Sequence, residues 1–146
     1  LNLSSHQRLL TTATPFLQQS LDGAVVFIAS RNVPAPGPGA SAYSVAKAGL
    51  TQLARVASLE LGSYGVRVNV LHPDCVYDTG LWSDDVLEGR AEKYGMSVEA
   101  YKSRNILKKE VTSREVAEMV AAVAGPVFLK TTGAQIPIDG GNDRVI

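Results

Sequence analysis

Apolar residues recur along the chain in several rhythms, and these rhythms divide it into elements. From Leu1 to Gln19, the residues Leu3, Leu10, Ala13, Phe16 and Leu17 fall mostly at helical spacing, and Gln18, Gln19 and Ser20 close the segment. That predicts a helix. Asp22-Gly23 reads as a turn, after which Ala24-Val25-Val26-Phe27-Ile28-Ala29 runs without a polar break to Ser30. A short, unbroken, β-branched run predicts a strand covered on both faces. Pro34, Pro36, Gly37, Pro38 and Gly39 then bar helix and strand alike. Placed between a buried strand and a long helix, this stretch is expected to be an ordered loop over a site rather than a flexible linker.

Ser41 is the expected cap of a helix running to about Leu61, with Ala46, Leu50, Leu53, Ala57 and Leu61 as its core stripe and Gly62 at its end. Val66 to Leu71 alternates and then turns apolar, a second strand ending at His72-Pro73-Asp74. From Val76 to Lys109 the chain is polar and mixed, with short helical patterns around Asp84 to Tyr94 and Val98 to Arg104. An insertion of that length reads as a lid or binding loop, in which Trp82 is equally a substrate wall or a local packing anchor. Thr112 and Glu115 have capping-box spacing ahead of Val116, Met119, Val120 and Val123, a helix that stops near Gly125-Pro126. Ala134 to Asp139 is a third strand, whose Pro137 implies an edge or terminal position, closed by Gly140-Gly141.

This alternation predicts an α/β fold with parallel strands and right-handed crossovers. Ligands in such sheets sit at the carboxyl ends of the strands, where Ser30, Pro73 to Thr79 and Gly140 fall. Composition narrows the function. With 146 residues, 45% of them hydrophobic, one domain with a real core is expected. Fourteen basic residues balance fourteen acidic ones, which argues against nucleic acid or an anionic membrane as the partner and for a small molecule. Cys75 stands alone, so an internal disulfide and a cysteine-built zinc site are excluded and no metal is expected; a reducing, cytoplasmic setting fits. No apolar run reaches eighteen residues, and Leu1 to His6 lack the basic and apolar regions expected of a signal peptide. It starts in a helical pattern without methionine or cap, from which an upstream part is expected to be missing.

The candidate chemistry starts from Tyr43 and Lys47, four residues apart and so on one helix face. A phenol titrates near about 10 and is a poor base at neutral pH, but a neighbouring cation favours the phenolate and brings it toward the working range. Ser30 precedes Tyr43 by thirteen residues, at the exit of a strand.

This Ser, Tyr-x-x-x-Lys spacing resembles the signature of the short-chain dehydrogenase/reductase family, and the likeness extends through Asn2, His72-Pro73 and Asp139-Gly140-Gly141. It implies the carboxyl-terminal half of a Rossmann-like, doubly wound parallel sheet, about three strands with flanking helices. It implies an oxidoreductase that uses NAD or NADP to interconvert an alcohol and a carbonyl. By the same resemblance Tyr43 is the acid/base, Lys47 lowers its pKa and binds the nicotinamide ribose, Ser30 holds the substrate oxygen, and Asn2 positions a water toward Lys47. Pro73, Asp74, Val76 and Thr79 fall on the cofactor loop, with Asp74 where the family has glycine and Thr79 one residue later than the family's threonine. Gly80-Leu81-Trp82, Tyr94-Gly95, Leu107-Lys108 and Lys130-Thr131-Thr132-Gly133 are similar to one branch, the dehydrogenase domain of bifunctional rhamnulose-phosphate aldolase/lactaldehyde dehydrogenases. That branch implies a small hydroxy-aldehyde or sugar-derived substrate and an aldolase domain as partner.

The glycine-rich strand-to-helix turn for a dinucleotide pyrophosphate is absent from the sequence, and Gly37-Pro38-Gly39 does not substitute for it. The missing amino-terminal half is therefore an expected partner, without which the chain should neither bind NAD(P) tightly nor turn over. The alternative is an inactive assembly module: the long helix carries Ala46, Ala48, Gly49, Ala54 and Ala57, and family members commonly form homo-oligomers through it.

Overall fold

The computed structural model describes residues 2–141. In chain order the elements are α1 (Ser4–Leu17), β1 (Ala24–Ile28), α2 (Ser41–Leu61), β2 (Arg67–Pro73), α3 (Asp84–Lys93), α4 (Val98–Lys102), α5 (Ser113–Ala124) and β3 (Gln135–Ile138). The strands form one parallel sheet in the order β1-β2-β3, with Ile28 level with Leu71 and Pro73 level with Ile138. This is the expected α/β, Rossmann-like arrangement.

Strand alternation assigns the helices to faces. Val68 and Val70 of β2 pack with Leu50, Ala54, Ala57 and Leu61 of α2, while Arg67, pointing the other way, donates to the carbonyls of Val123 and Ala124 at the end of α5. The sheet is thus sandwiched, α1 and α2 on one side and α5 on the other. From Arg67 to Leu71 the central strand β2 is buried throughout, which explains its apolar character. A second cluster forms beneath the insertion from Tyr77, Leu87, Ala91 and Tyr101, against which Trp82 packs edge-on with its ring 5.0 Å from that of Tyr77. Trp82 is a packing anchor.

β1 is met on both faces as expected, by α2 on one and α5 on the other, but among the described residues it is an edge strand, which leaves its Val25 and Val26 only half-buried. An unbroken apolar run marks burial somewhere, but it does not show how many neighbours the strand has. Ser41 begins α2 without capping it, since Ala40 holds the cap position and no side-chain bond forms there. Gly62 caps the end of α2 as expected, but it stays right-handed and continues into a short 3-10 turn, so Gly65 (φ 75°) supplies the left-handed residue that ends the run. The short helices stop at Lys93 and Lys102, one and two residues before their expected ends.

Candidate active site

The carboxyl ends of all three strands meet at one rim. Beyond Ile28 the ladder continues: Ala29 N donates to Leu71 O (2.8 Å), Arg31 N to Pro73 O (3.1 Å) and Asp74 N to Ile138 O (3.2 Å). These bonds hold Ser30, Asp74 and Asp139 at adjacent strand exits. Turns closed by Val33 N to Ser30 O (3.0 Å) and Ala35 N to Arg31 O (3.0 Å) then start the proline-rich loop that delivers the chain to α2.

Ser30 is buried, 8% exposed. Its Oγ accepts from Asn32 N at 3.2 Å, which uses an acceptor site and leaves the hydroxyl proton available to an incoming oxygen. Lys47 is also buried, and its Nζ donates to Ile28 O at 2.8 Å, fastening the first turns of α2 beside the exit of β1. The same ammonium lies 5.8 Å from the ring centroid of Tyr43, within cation–π range. Burial pushes the Lys47 pKa below the ordinary lysine range. Tyr43 is 40% exposed, so its ring is open to a ligand while its cation is sheltered beneath. Ser30, Tyr43 and Lys47 are therefore gathered where β1 ends and α2 begins.

Of the remaining expected residues, Asn2 lies exposed in the turn before α1. Leu3 beside it packs against Gly49 of α2, but Lys47 donates to a main-chain carbonyl of β1. Pro73 and Asp74 are at the rim. Asp74 pairs with Arg31 at 3.5 Å, and both side chains are less than one-fifth exposed. Its backbone stays out of the left-handed region; Cys75 enters it instead (φ 52°), so replacing glycine at position 74 costs no strain there. Val76 forms a parallel bridge with Val111, and Thr79, exposed, donates its hydroxyl to Val76 O at 2.9 Å.

Three features escape sequence reasoning. Asp78 accepts from both the backbone and the hydroxyl of Ser113 (2.9 and 2.7 Å), clasping the loop after β2 onto the start of α5. These bonds hold its carboxyl below the usual range. Arg104 stacks 4.3 Å from the centroid of Tyr101 and points Nη2 at Cys75 Sγ, 3.6 Å away. His72 reaches across the sheet to both neighbouring strands. All three join residues far apart in sequence, and no spacing rule announces them.

Comparison with known proteins agrees with the geometry. The profile of a family described as enoyl-(acyl carrier protein) reductase matches residues 1–143. An uncharacterized oxidoreductase of Bacillus subtilis, YuxG, is 38% identical over 128 residues, covering 84% of this chain and 19% of that protein. Among solved structures, a short chain dehydrogenase family protein from Francisella tularensis superimposes with a TM-score of 0.83 at 26% identity, covering 99% of this chain and 60% of that one. An NADPH-bound short chain oxidoreductase from Pseudomonas aeruginosa with an atypical catalytic center gives 0.79 at 28% identity, covering 94% and 52%. The chain thus spans well under two thirds of each of these proteins.

Proposed function

Because this chain belongs to the short-chain dehydrogenase/reductase family, we propose that it carries the proton-handling half of an NAD(P)-dependent oxidoreductase that interconverts a small alcohol and a carbonyl. The observation that carries the reading is the convergence of Ser30, Tyr43 and Lys47 at one strand exit.

The residues fit a nicotinamide: an open strand-end rim, an exposed phenol and a sheltered ammonium. The bound nicotinamide would accept or return the hydride. Tyr43 takes the proton of the substrate hydroxyl as the alcohol is oxidised and gives it back on reduction. Lys47 favours the phenolate electrostatically, and Ser30 donates to the substrate oxygen as charge develops there. Pro73, Asp74 and Val76 would border the nicotinamide, Thr79 more distantly, and Asn2 would lead water toward Lys47. An upstream segment would supply the glycine-rich turn.

For the substrate we infer a small, hydrophilic aldehyde or alcohol, such as lactaldehyde or a sugar-derived hydroxy-aldehyde. The Arg31–Asp74 pair beside Ser30 makes that wall polar, and the branch-specific segments point the same way. An aldolase fusion is consistent with YuxG, where 128 residues are only 19% of the protein, leaving room for further domains. The complete Ser30, Tyr43 and Lys47 set favours an enzyme over an assembly module, though homo-oligomers fit either.

The test is turnover of the full-length protein with NAD+ and NADP+ against lactaldehyde, propane-1,2-diol and related small substrates. Tyr43→Phe should lower kcat by about 100-fold or more, the usual worth of a general acid/base. Equal rates in the two proteins would defeat the assignment.

A further inference from the structure

Ser30 can aim its hydroxyl only if its own backbone is held, yet the ladder does not hold it. In a parallel pair one strand's main chain serves alternate residues of the other. Ala29 and Arg31 are bonded to Leu71 and Pro73, and Ser30 lies between them. Its carbonyl is met off the ladder, by Val33 N at 3.0 Å within the turn and by one side chain from the neighbouring strand: His72 Nδ1 lies 2.9 Å from Ser30 O, and since a carbonyl only accepts, Nδ1 carries the proton. The other ring nitrogen, Nε2, is 2.7 Å from Gln135 Oε1 on β3; with the neutral ring's single proton on Nδ1, Nε2 accepts, and the Gln135 amide serves it as donor with its oxygen and nitrogen exchanged. The imidazole thus spans the sheet from the exit of β1 to the start of β3, anchored at both ends and 5% exposed. Alternation places it on the same side of β2 as Val68 and Val70, the side on which α2 carries Tyr43 and Lys47.

We propose that His72 is a positioning residue for Ser30: it fixes the Ser30 carbonyl, and through it the direction of the hydroxyl toward the substrate oxygen. The proposal rests on the reading of Ser30 as the donor to that oxygen. A rigid ring tied to Gln135 suits this role better than a flexible donor, because misplacing a catalytic group by about 1 Å can cost about 100-fold in rate. Asn at this position keeps a donor close to where Nδ1 stands and loses the link to Gln135.

The experiment uses the full-length protein with lactaldehyde as probe, measuring kcat, KM and NAD(P)H affinity for His72→Leu, His72→Asn, Ser30→Ala and the double variant Ser30→Ala/His72→Leu. His72→Leu should lower kcat about 10- to 100-fold with NAD(P)H affinity unchanged. His72→Asn should recover most of the loss, and in the Ser30→Ala background His72→Leu should have no further effect. Gln135→Met, a change at an exposed residue that leaves the core intact, should lower kcat by a few-fold at an unchanged melting temperature. Ser30→Ala turning over at the wild-type rate would defeat the role of Ser30 and this proposal with it. A slowed Ser30→Ala enzyme, combined with His72→Leu effects that are absent or fully multiplicative, would defeat the positioning role alone.

Discussion

Cys75 shows how much a single residue's environment adds to its identity. From the sequence it is the sole cysteine; in the fold it is left-handed and half-buried beside Asp74, Tyr77 and Arg104. Burial first, and the Asp74 carboxylate second, push its thiol from 9.0 up to about 11. A two-unit rise cuts the thiolate fraction about 100-fold, so at pH 8 Cys75 should react with iodoacetamide about 100-fold more slowly than an unhindered thiol. A rate near that of glutathione would contradict this. Burial likewise raises the neighbouring Tyr77 phenol, with the Cys75 thiol as a further cause. Both folded-state pKa values lie above their unfolded ones, so this stability is complete below about pH 9; the Cys75 share is lost as pH rises from 9 toward 11, and the Tyr77 share begins to be lost only above about pH 10. Lys47, whose pKa is lowered by burial, acts in the opposite sense. Thermal melts should therefore show an alkaline decline that Cys75→Ala makes shallower; an identical slope in the variant would count against the assignment.

At the scale of elements, the two ends of α5 contrast what can and cannot be read locally. The box at its start is complete: Thr112 Oγ1 accepts from Glu115 N, and Glu115 accepts from Thr112 N at 2.8 Å. Both partners lie within one turn, so the spacing alone announces them. Thr112→Ala should cost about 1 kcal/mol, measured as a lowered urea midpoint at constant m. At the other end, Arg67 satisfies the last carbonyls of the helix, Val123 O at 3.0 Å and Ala124 O at 2.8 Å, while also reaching Phe128 O and Asp22. A cation there suits the helix dipole, but it arrives from a strand 56 residues earlier in the chain. In the sequence Arg67 is merely the polar position of an alternating strand. Arg67→Met should cost about 3 kcal/mol or more, because buried carbonyls lose their donor; a change below about 1 kcal/mol would show that water replaces it.

At the scale of the whole molecule, the consequence lies in what the sheet leaves open. Among the described residues β1 pairs only with β2, and α1 and α2 expose Phe16 (76%), Val45 (72%) and Leu59 (83%). An unpaired strand edge beside apolar helix surface invites association. This 15.5 kDa chain should self-associate in light scattering, and extension upstream to include a strand beside β1 should reduce that tendency. A stable monomer of the chain alone would refute the prediction. Among the described residues no helix is long and apolar enough to cross a membrane.

The element order, the parallel α/β class, the edge proline and the Ser30, Tyr43 and Lys47 set were legible in the sequence, because periodicity, caps and short spacings are local properties of the chain. Only tertiary structure decided that β2 is the central, most deeply buried strand and β1 an edge among the described residues, since that depends on which strands lie alongside. It likewise decided that Lys47 is seated on Ile28 O, that Asp74 is tied to Arg31, and that His72 stands behind Ser30. Each joins strand exits or helices that are remote in sequence and adjacent in space, a relation set by sheet register and not by composition.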